Sequence, residues 1–274
     1  MFIKKILVPI QNAVAGEAAL KAAIVLAARH QAFVSASHIR QLPVLPIDGH
    51  HPLGVVMVDE HISELRKAAE DKARALKAIA EAVLASASVA GGWSEREGSL
   101  PQDVSIDARV ADIIVFAKCA SDPGDEQSAL IEEAIFQSGG PIFIAPEGVF
   151  GAPPQRIMIA WNGSREAARA LSAALPLLKD AAAVSIISFG GSSPGAPDAS
   201  AAEGLLRLHG IAAEILKKPR SERDGEHFLA EASAWRADLA VMGAYSHPRW
   251  RQIVLGGFTR DMLKQSALPV LMAH

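Results

Sequence analysis

The chain repeats itself, and a repeat of this length restricts the fold more tightly than composition does. KKILVPIQNAVAGEAAL, from Lys4, aligns with QRIMIAWNGSREAARAL, from Gln155. ADIIVFA, from Ala111, matches ADLAVMG, from Ala237, and FQSGGPIFIAP, from Phe136, matches KQSALPVLMAH, from Lys264. Three blocks in the same order define two halves, residues 1–149 and 155–274, with the boundary in the Gly- and Pro-containing segment EGVFGAPPQ.

Within each half, apolar runs alternate with alanine-rich amphipathic stretches. In the second half the pattern predicts strands at 156–161, 183–189, 212–217, 238–242 and 269–273. Helices are expected at 164–178, 199–209, 222–235 and 256–266 between them. Strands that are apolar without clean alternation suit a parallel sheet covered by helices on both faces. The first half adds the insert RQLPVLPIDGHHPLGVVMVDE and a long helix near 59–86. Ile62, Leu65, Ala69, Leu76, Ile79 and Val83 give that helix one apolar stripe, expected to pack on the sheet or on the other half.

Composition narrows the function. The net charge of −3 argues against a general nucleic-acid binder. It is unevenly spread: residues 1–150 hold 13 basic and 19 acidic side chains, whereas residues 151–274 hold 14 and 11. An anionic ligand therefore finds its better host in the second half. No apolar run approaches the roughly 20 residues needed to cross a bilayer. MFIKKILVPIQ has too short an apolar run for a signal-peptide core, so a soluble cytoplasmic protein without a membrane partner is expected. Cys119 is the single cysteine, which excludes an intrachain disulfide. His50 and His51 have no companion at metal-ligand spacing, so no metal site is assigned.

VMGAYSHPRWRQIVLGGFTRDM, residues 241–262, carries the clearest chemistry. A strand ends at Gly243, and ligands in open α/β sheets sit beyond the carboxyl ends of strands. A loop with His247, Arg249 and Arg251 follows, and Gly256-Gly257 then opens a helix. A helix start offers unpaired N–H groups and partial positive charge, which suit phosphate oxygens. Thr259 adds a hydroxyl.

The spacing Gly243-x2-Ser246-x9-Gly256-Gly257, between two apolar strands, resembles the nucleotide-binding signature of the universal stress protein family. With ILVPIQ and IMIAWNGS opening the halves, the whole chain resembles a tandem member. The resemblance implies two flavodoxin-like, adenine-nucleotide-hydrolase-like α/β domains, each with five parallel strands in the order 3-2-1-4-5. It also implies an adenine nucleotide (ATP, ADP or AMP), with Mg as its accompanying ion. The site it implies comprises Ala160, Trp161, Asn162, Gly243, Ser246, His247, Arg249, Gly256, Gly257, Phe258 and Thr259. Family domains pair through their last strands, so PIFIAPE and PVLMAH are expected side by side, with a homodimer formed through GVVMV at 54–58.

Several residues depart from the signature. Ser246 stands where the family has its second glycine, Gly257 where it has serine or threonine, and Asn162 where ATP-binding members carry an aspartate. A serine held at positive φ costs on the order of 1 kcal/mol. Asparagine also forgoes a charge-assisted hydrogen bond. In the first half Gln11 replaces the aspartate, and KCASDPGDEQSALIEEAI has no paired-glycine spacing. Its acids Asp122, Asp125, Glu126, Glu132 and Glu133 repel phosphate, so no nucleotide site is expected there. Ser164 reads as a helix cap. Trp161 and Tyr245 suit either adenine stacking or packing.

No Walker loop, G-x-S-x-G elbow or H-E-x-x-H motif is present, and no catalytic residue is assigned. Two readings stay open: a regulatory protein holding an adenine nucleotide with at most slow hydrolysis, and a nucleotide-free interaction protein acting through its paired halves.

Overall fold

A run such as Ile6-Leu7-Val8 buries alternate side chains on opposite faces of a strand, so both faces need helices. The computed structural model describes residues 3–41, 54–118, 126–146, 148, 150–191, 195–245 and 257–274, with backbone only over 54–61. The first half runs β1 (Lys5–Pro9), α1 (Ala13–His30), β2 (Phe33–Gln41), α2 (Gly54–Ala85), β3 (Gly91–Gly98), α3 (Gln102–Ala108), β4 (Ile113–Ala117), α4 (Glu126–Gln137) and β5 (Ile142–Ala145). The second runs β6 (Arg156–Ala160), α5 (Arg165–Leu178), β7 (Ala183–Phe189), α6 (Ala199–Leu208), β8 (Glu214–Lys218), α7 (Asp224–Trp235), β9 (Leu239–Gly243), α8 (Gly257–Gln265) and β10 (Val270–Ala273).

All strands join one ten-stranded sheet in the order β3-β2-β1-β4-β5-β10-β9-β6-β7-β8. Each half has the 3-2-1-4-5 order, and pairing within each half is parallel. The seam alone is antiparallel, with Ile144 opposite Val270, Phe143 opposite Leu271 and Ile142 opposite Met272. Phe143 and Leu271 are equivalent residues of the repeat, so a local two-fold axis passes between them. Helices α1, α2, α5 and α6 cover one face, where Ile6, Val8, Phe143 and Leu271 are buried. Helices α3, α4, α7 and α8 cover the other, over Leu7, Ile114, Phe116 and Met272.

The repeated Ala-Asp pair has a structural cause. Asp112 accepts hydrogen bonds from the N–H groups of Lys4 and Lys5 at 2.8 and 2.9 Å. Asp238 accepts from those of Gln155 and Arg156 at 2.8 and 2.7 Å. Each carboxylate thus satisfies the donors that lead into its half's first strand.

The long helix begins at Gly54 instead of near 59, and it packs on α1, β2 and β3 of its own half. Ala73, Leu76 and Ala80 are buried, while Leu65 is 36% exposed, so only the C-terminal part of the stripe is engaged. Among the described residues, no helix is long and apolar enough to cross a membrane.

The halves also meet through side chains. Arg29 forms a forked ion pair with Asp180 at 2.9 and 3.0 Å. Lys118 donates to the carbonyls of Met262 and Ser266, at 3.1 and 2.6 Å, where α8 ends. A cation there complements the negative end of the helix.

The seam core is expected to outweigh the surface pair. Phe143→Ala, at a fully buried site, should cost about 3–5 kcal/mol in chemical denaturation. Asp180→Ala, which breaks a solvent-exposed pair, should cost about 1 kcal/mol or less. The reverse ranking would show that the ion pair joins the halves.

Candidate functional site

The C-terminal ends of β6, β7 and β9 border a cleft of about 500 Å³. Ala160, Trp161, Asn162, Gly243, Gly257, Phe258 and Thr259 all line it. Ser246, His247, Arg249 and Gly256 lie outside the described residues, as do Cys119, His50 and His51.

The β6–α5 turn forms one wall. The Trp161 N–H donates to Ile187 O at 2.8 Å, extending the ladder past Ala160. Its indole N–H donates to Pro197 O at 3.0 Å, and the residue is only 5% exposed. The ring is therefore packed, while the residue still borders the cleft. Asn162 Oδ1 accepts from Ser164 N–H at 3.0 Å across Gly163, which has φ 74°. Ser164 Oγ accepts from Ala167 N–H at 3.1 Å, the expected helix cap. One of the two lone pairs of this oxygen is thus used within the turn.

Gly243 serves its own fold. A Cβ there would lie 2.5 Å from Ala167 N and 2.7 Å from Glu166 C, so the backbone of α5 sits directly on this glycine. The positive φ in the described part of the following loop falls on Tyr245, at 53°. Its N–H donates to Thr259 Oγ1 at 3.4 Å, and its ring packs on Phe136 of the first half with centroids 4.7 Å apart. Tyr245 is thereby a seam residue. Its buried phenol has no hydrogen-bond partner, and burial with the nearby Glu132 charge pushes its pKa up.

Helix α8 forms the opposite wall. Gly257 is exposed, and a Cβ there would meet nothing within 4 Å among the described residues. The Phe258 ring meets Phe228 edge-on at 5.5 Å, anchoring the first turn.

Sequence reasoning missed the third wall. Phe189, Gly191, Arg220, Ser221, Glu222 and Asp224 come from the ends of β7 and β8. The repeat blocks do not cover these strands; the position of strand C-termini in a doubly wound sheet was the available signal. Asp224 Oδ1 accepts from Ser221 N–H at 2.8 Å, and Ser221 Oγ accepts from Arg223 N–H at 3.0 Å, which closes the turn leading into α7. Arg223 faces Glu226 at 3.6 Å, whereas Arg220 has no ion-pair partner among the described residues. No group of His, Cys, Asp or Glu among them could hold a metal ion.

At the corresponding place in the first half, Gln11, Asn12 and Ala13, which align with Asn162, Gly163 and Ser164, border a hollow of about 460 Å³. With its oxygen accepting from Ile39 N–H at 2.9 Å and its nitrogen donating to Ile39 O at 3.2 Å, the Gln11 amide pairs with β2. Beside it lies His38, 3% exposed, with Nδ1 2.7 Å from Ile10 O and its ring stacked on Trp93. That hollow lies under α2 and is closed by Lys72, Leu76 and Glu126.

No family profile matches this sequence, and no curated protein matches it. Solved structures do. A universal stress protein from Archaeoglobus fulgidus DSM 4304 is 17% identical, with 99% of this chain and 97% of that one covered and a TM-score of 0.73. A putative universal stress protein from Pseudomonas aeruginosa UCBPP-PA14 is 15% identical, over 98% and 92%, at 0.59. The cytoplasmic domain of a prokaryotic cation chloride cotransporter is 12% identical, over 98% and 95%, at 0.52. The chain shares the fold of these proteins over its whole length.

Burial pushes the His38 pKa below the ordinary histidine value. Protonation therefore favours the unfolded chain, and stability should fall as pH drops through about 6.5. His38→Gln should flatten the pH dependence of the denaturation midpoint between about pH 7 and 5.5, leaving the part due to the similarly depressed His30. An unchanged slope would show that His38 is not buried neutral.

Proposed function

We propose that the chain is a tandem universal stress protein of the cytoplasm whose second half, residues 155–274, holds an adenine nucleotide as a regulatory ligand. The first half, residues 1–149, acts as its structural partner. The observation that carries this reading is the opening of α8 onto the cleft, with the unobstructed Gly257 at its start. The first N–H groups of a helix are unpaired and lie at its positive end, so phosphates belong there. Asn162, Gly243, Phe258 and Thr259 border the remaining path. Ser246, His247, Arg249 and Gly256, outside the described residues, belong to the proposed site by their place in the sequence signature. Mg would enter with a triphosphate, held by phosphate oxygens and water, since the described residues offer no acidic cage. Nothing in the cleft supports more than slow turnover.

A nucleotide-free interaction protein is the second reading. Internal use of the Trp161 indole and the Asn162 oxygen favours it.

Calorimetric titration of the full chain with ATP, ADP and AMP at up to millimolar concentration separates the two. Saturable binding is expected. Gly257→Glu should weaken it at least about tenfold, or 1.4 kcal/mol. The fold should be unaffected, because the new side chain enters open space and an acid suits a helix start. Absence of saturable heat with the unmodified chain, or full binding by the Glu variant, overturns the nucleotide reading.

A further inference from the structure

One cation lining the cleft has no role in the reading above. Arg220 follows β8, and its side-chain stem lies across Gly190, at the end of β7. A Cβ on Gly190 would come within 2.6 Å of Arg220 Cβ and 3.3 Å of its Cδ. Gly190 also has φ 67°, so glycine both permits this backbone and makes room for the arginine. Arg220 lines the cleft with no ion-pair partner among the described residues, and Glu222 and Asp224 line it as well.

Arg220 follows β8, three strands across the sheet from β9, the strand that precedes α8. Between the ends of β9 and β8 lie three strand-to-strand steps, through β6 and β7, or roughly 14 Å at about 4.8 Å each. That span matches a nucleotide with its 5′ phosphates at α8 and its nucleoside toward β7 and β8. In parallel sheets that bind dinucleotides, an acid about 20 residues beyond the phosphate turn takes the free ribose 2′-hydroxyl, and an arginine nearby accommodates a 2′-phosphate. Here the end of β7 carries Gly190 and Gly191, with an arginine laid over it.

We propose that Arg220 makes this outer end of the cleft a second anion site, selecting nucleotides that carry a phosphate on the ribose as well as at the 5′ position. The inference rests on the nucleotide reading of the same cleft. A planar guanidinium donates two parallel hydrogen bonds to one phosphate, which gives the site both charge and orientation. Because Arg220 is exposed, its replacement leaves the core intact.

The test is calorimetric titration of the full chain and of Arg220→Ala with AMP, adenosine 2′,5′-bisphosphate and adenosine 3′,5′-bisphosphate. At least one bisphosphate should bind the unmodified chain about tenfold or more tightly than AMP. Arg220→Ala should reduce that preference to within about twofold while leaving AMP affinity unchanged. Added salt should shrink the preference. AMP binding equal to or tighter than that of both bisphosphates, or a preference that survives Arg220→Ala, overturns the inference and leaves the nucleotide reading standing. Failure of all three to bind overturns both.

Discussion

Three residue pairs across the β5·β10 seam hold the architecture together. Both strands are buried along their whole length, so each half alone would present an apolar strand edge to solvent, an invitation to aggregation. Antiparallel pairing of the two edges removes both. What remains at the sheet's ends is β3 and β8, whose charged residues Glu95, Arg96, Glu97, Lys217 and Lys218 discourage further pairing. The seam also brings α4 and α8 together on one face. That is how Lys118 comes to cap α8 from the first half, and how Tyr245 comes to rest on Phe136. The helix proposed to receive phosphates is thus fixed by the half that has no proposed ligand.

Equivalent positions in the halves diverge through small chemical differences. Gln11 and Asn162 correspond, yet Gln11 is one methylene longer and reaches the backbone of Ile39, while Asn162 folds back on Ser164. The first choice ties the turn to β2 beside the stacked rings of His38 and Trp93. The second keeps the turn tight beside the cleft. Position 10 contributes as well: it is Ile10 in one half and Trp161 in the other, the latter tied to Pro197 beneath the wall.

Much of this fold was legible in the sequence. Buried parallel strands are continuous apolar runs, and the repeat set their order twice, so the elements lie within a few residues of their expected positions. The pairing of PIFIAPE with PVLMAH followed from the family resemblance rather than from the residues themselves. What escaped is tertiary. Gly243 reads as room for a ligand until the first turn of α5 is placed against it. Tyr245 lines the cleft, but its packing on Phe136 of the opposite half left no sign in the sequence. Arg220 lies 30 residues from Gly190 in sequence and gave no motif. The α2 stripe was legible as a periodicity, but its register could not tell that Leu76 is covered and Leu65 is not.

Hydrogen–deuterium exchange of the full chain, with and without saturating ATP, tests the central asymmetry most directly. The account predicts slowed exchange in peptides covering 161–167 and 257–262, with peptides covering 10–16 and 126–131 unchanged. Protection in the first-half peptides, or in none of the four, would contradict it.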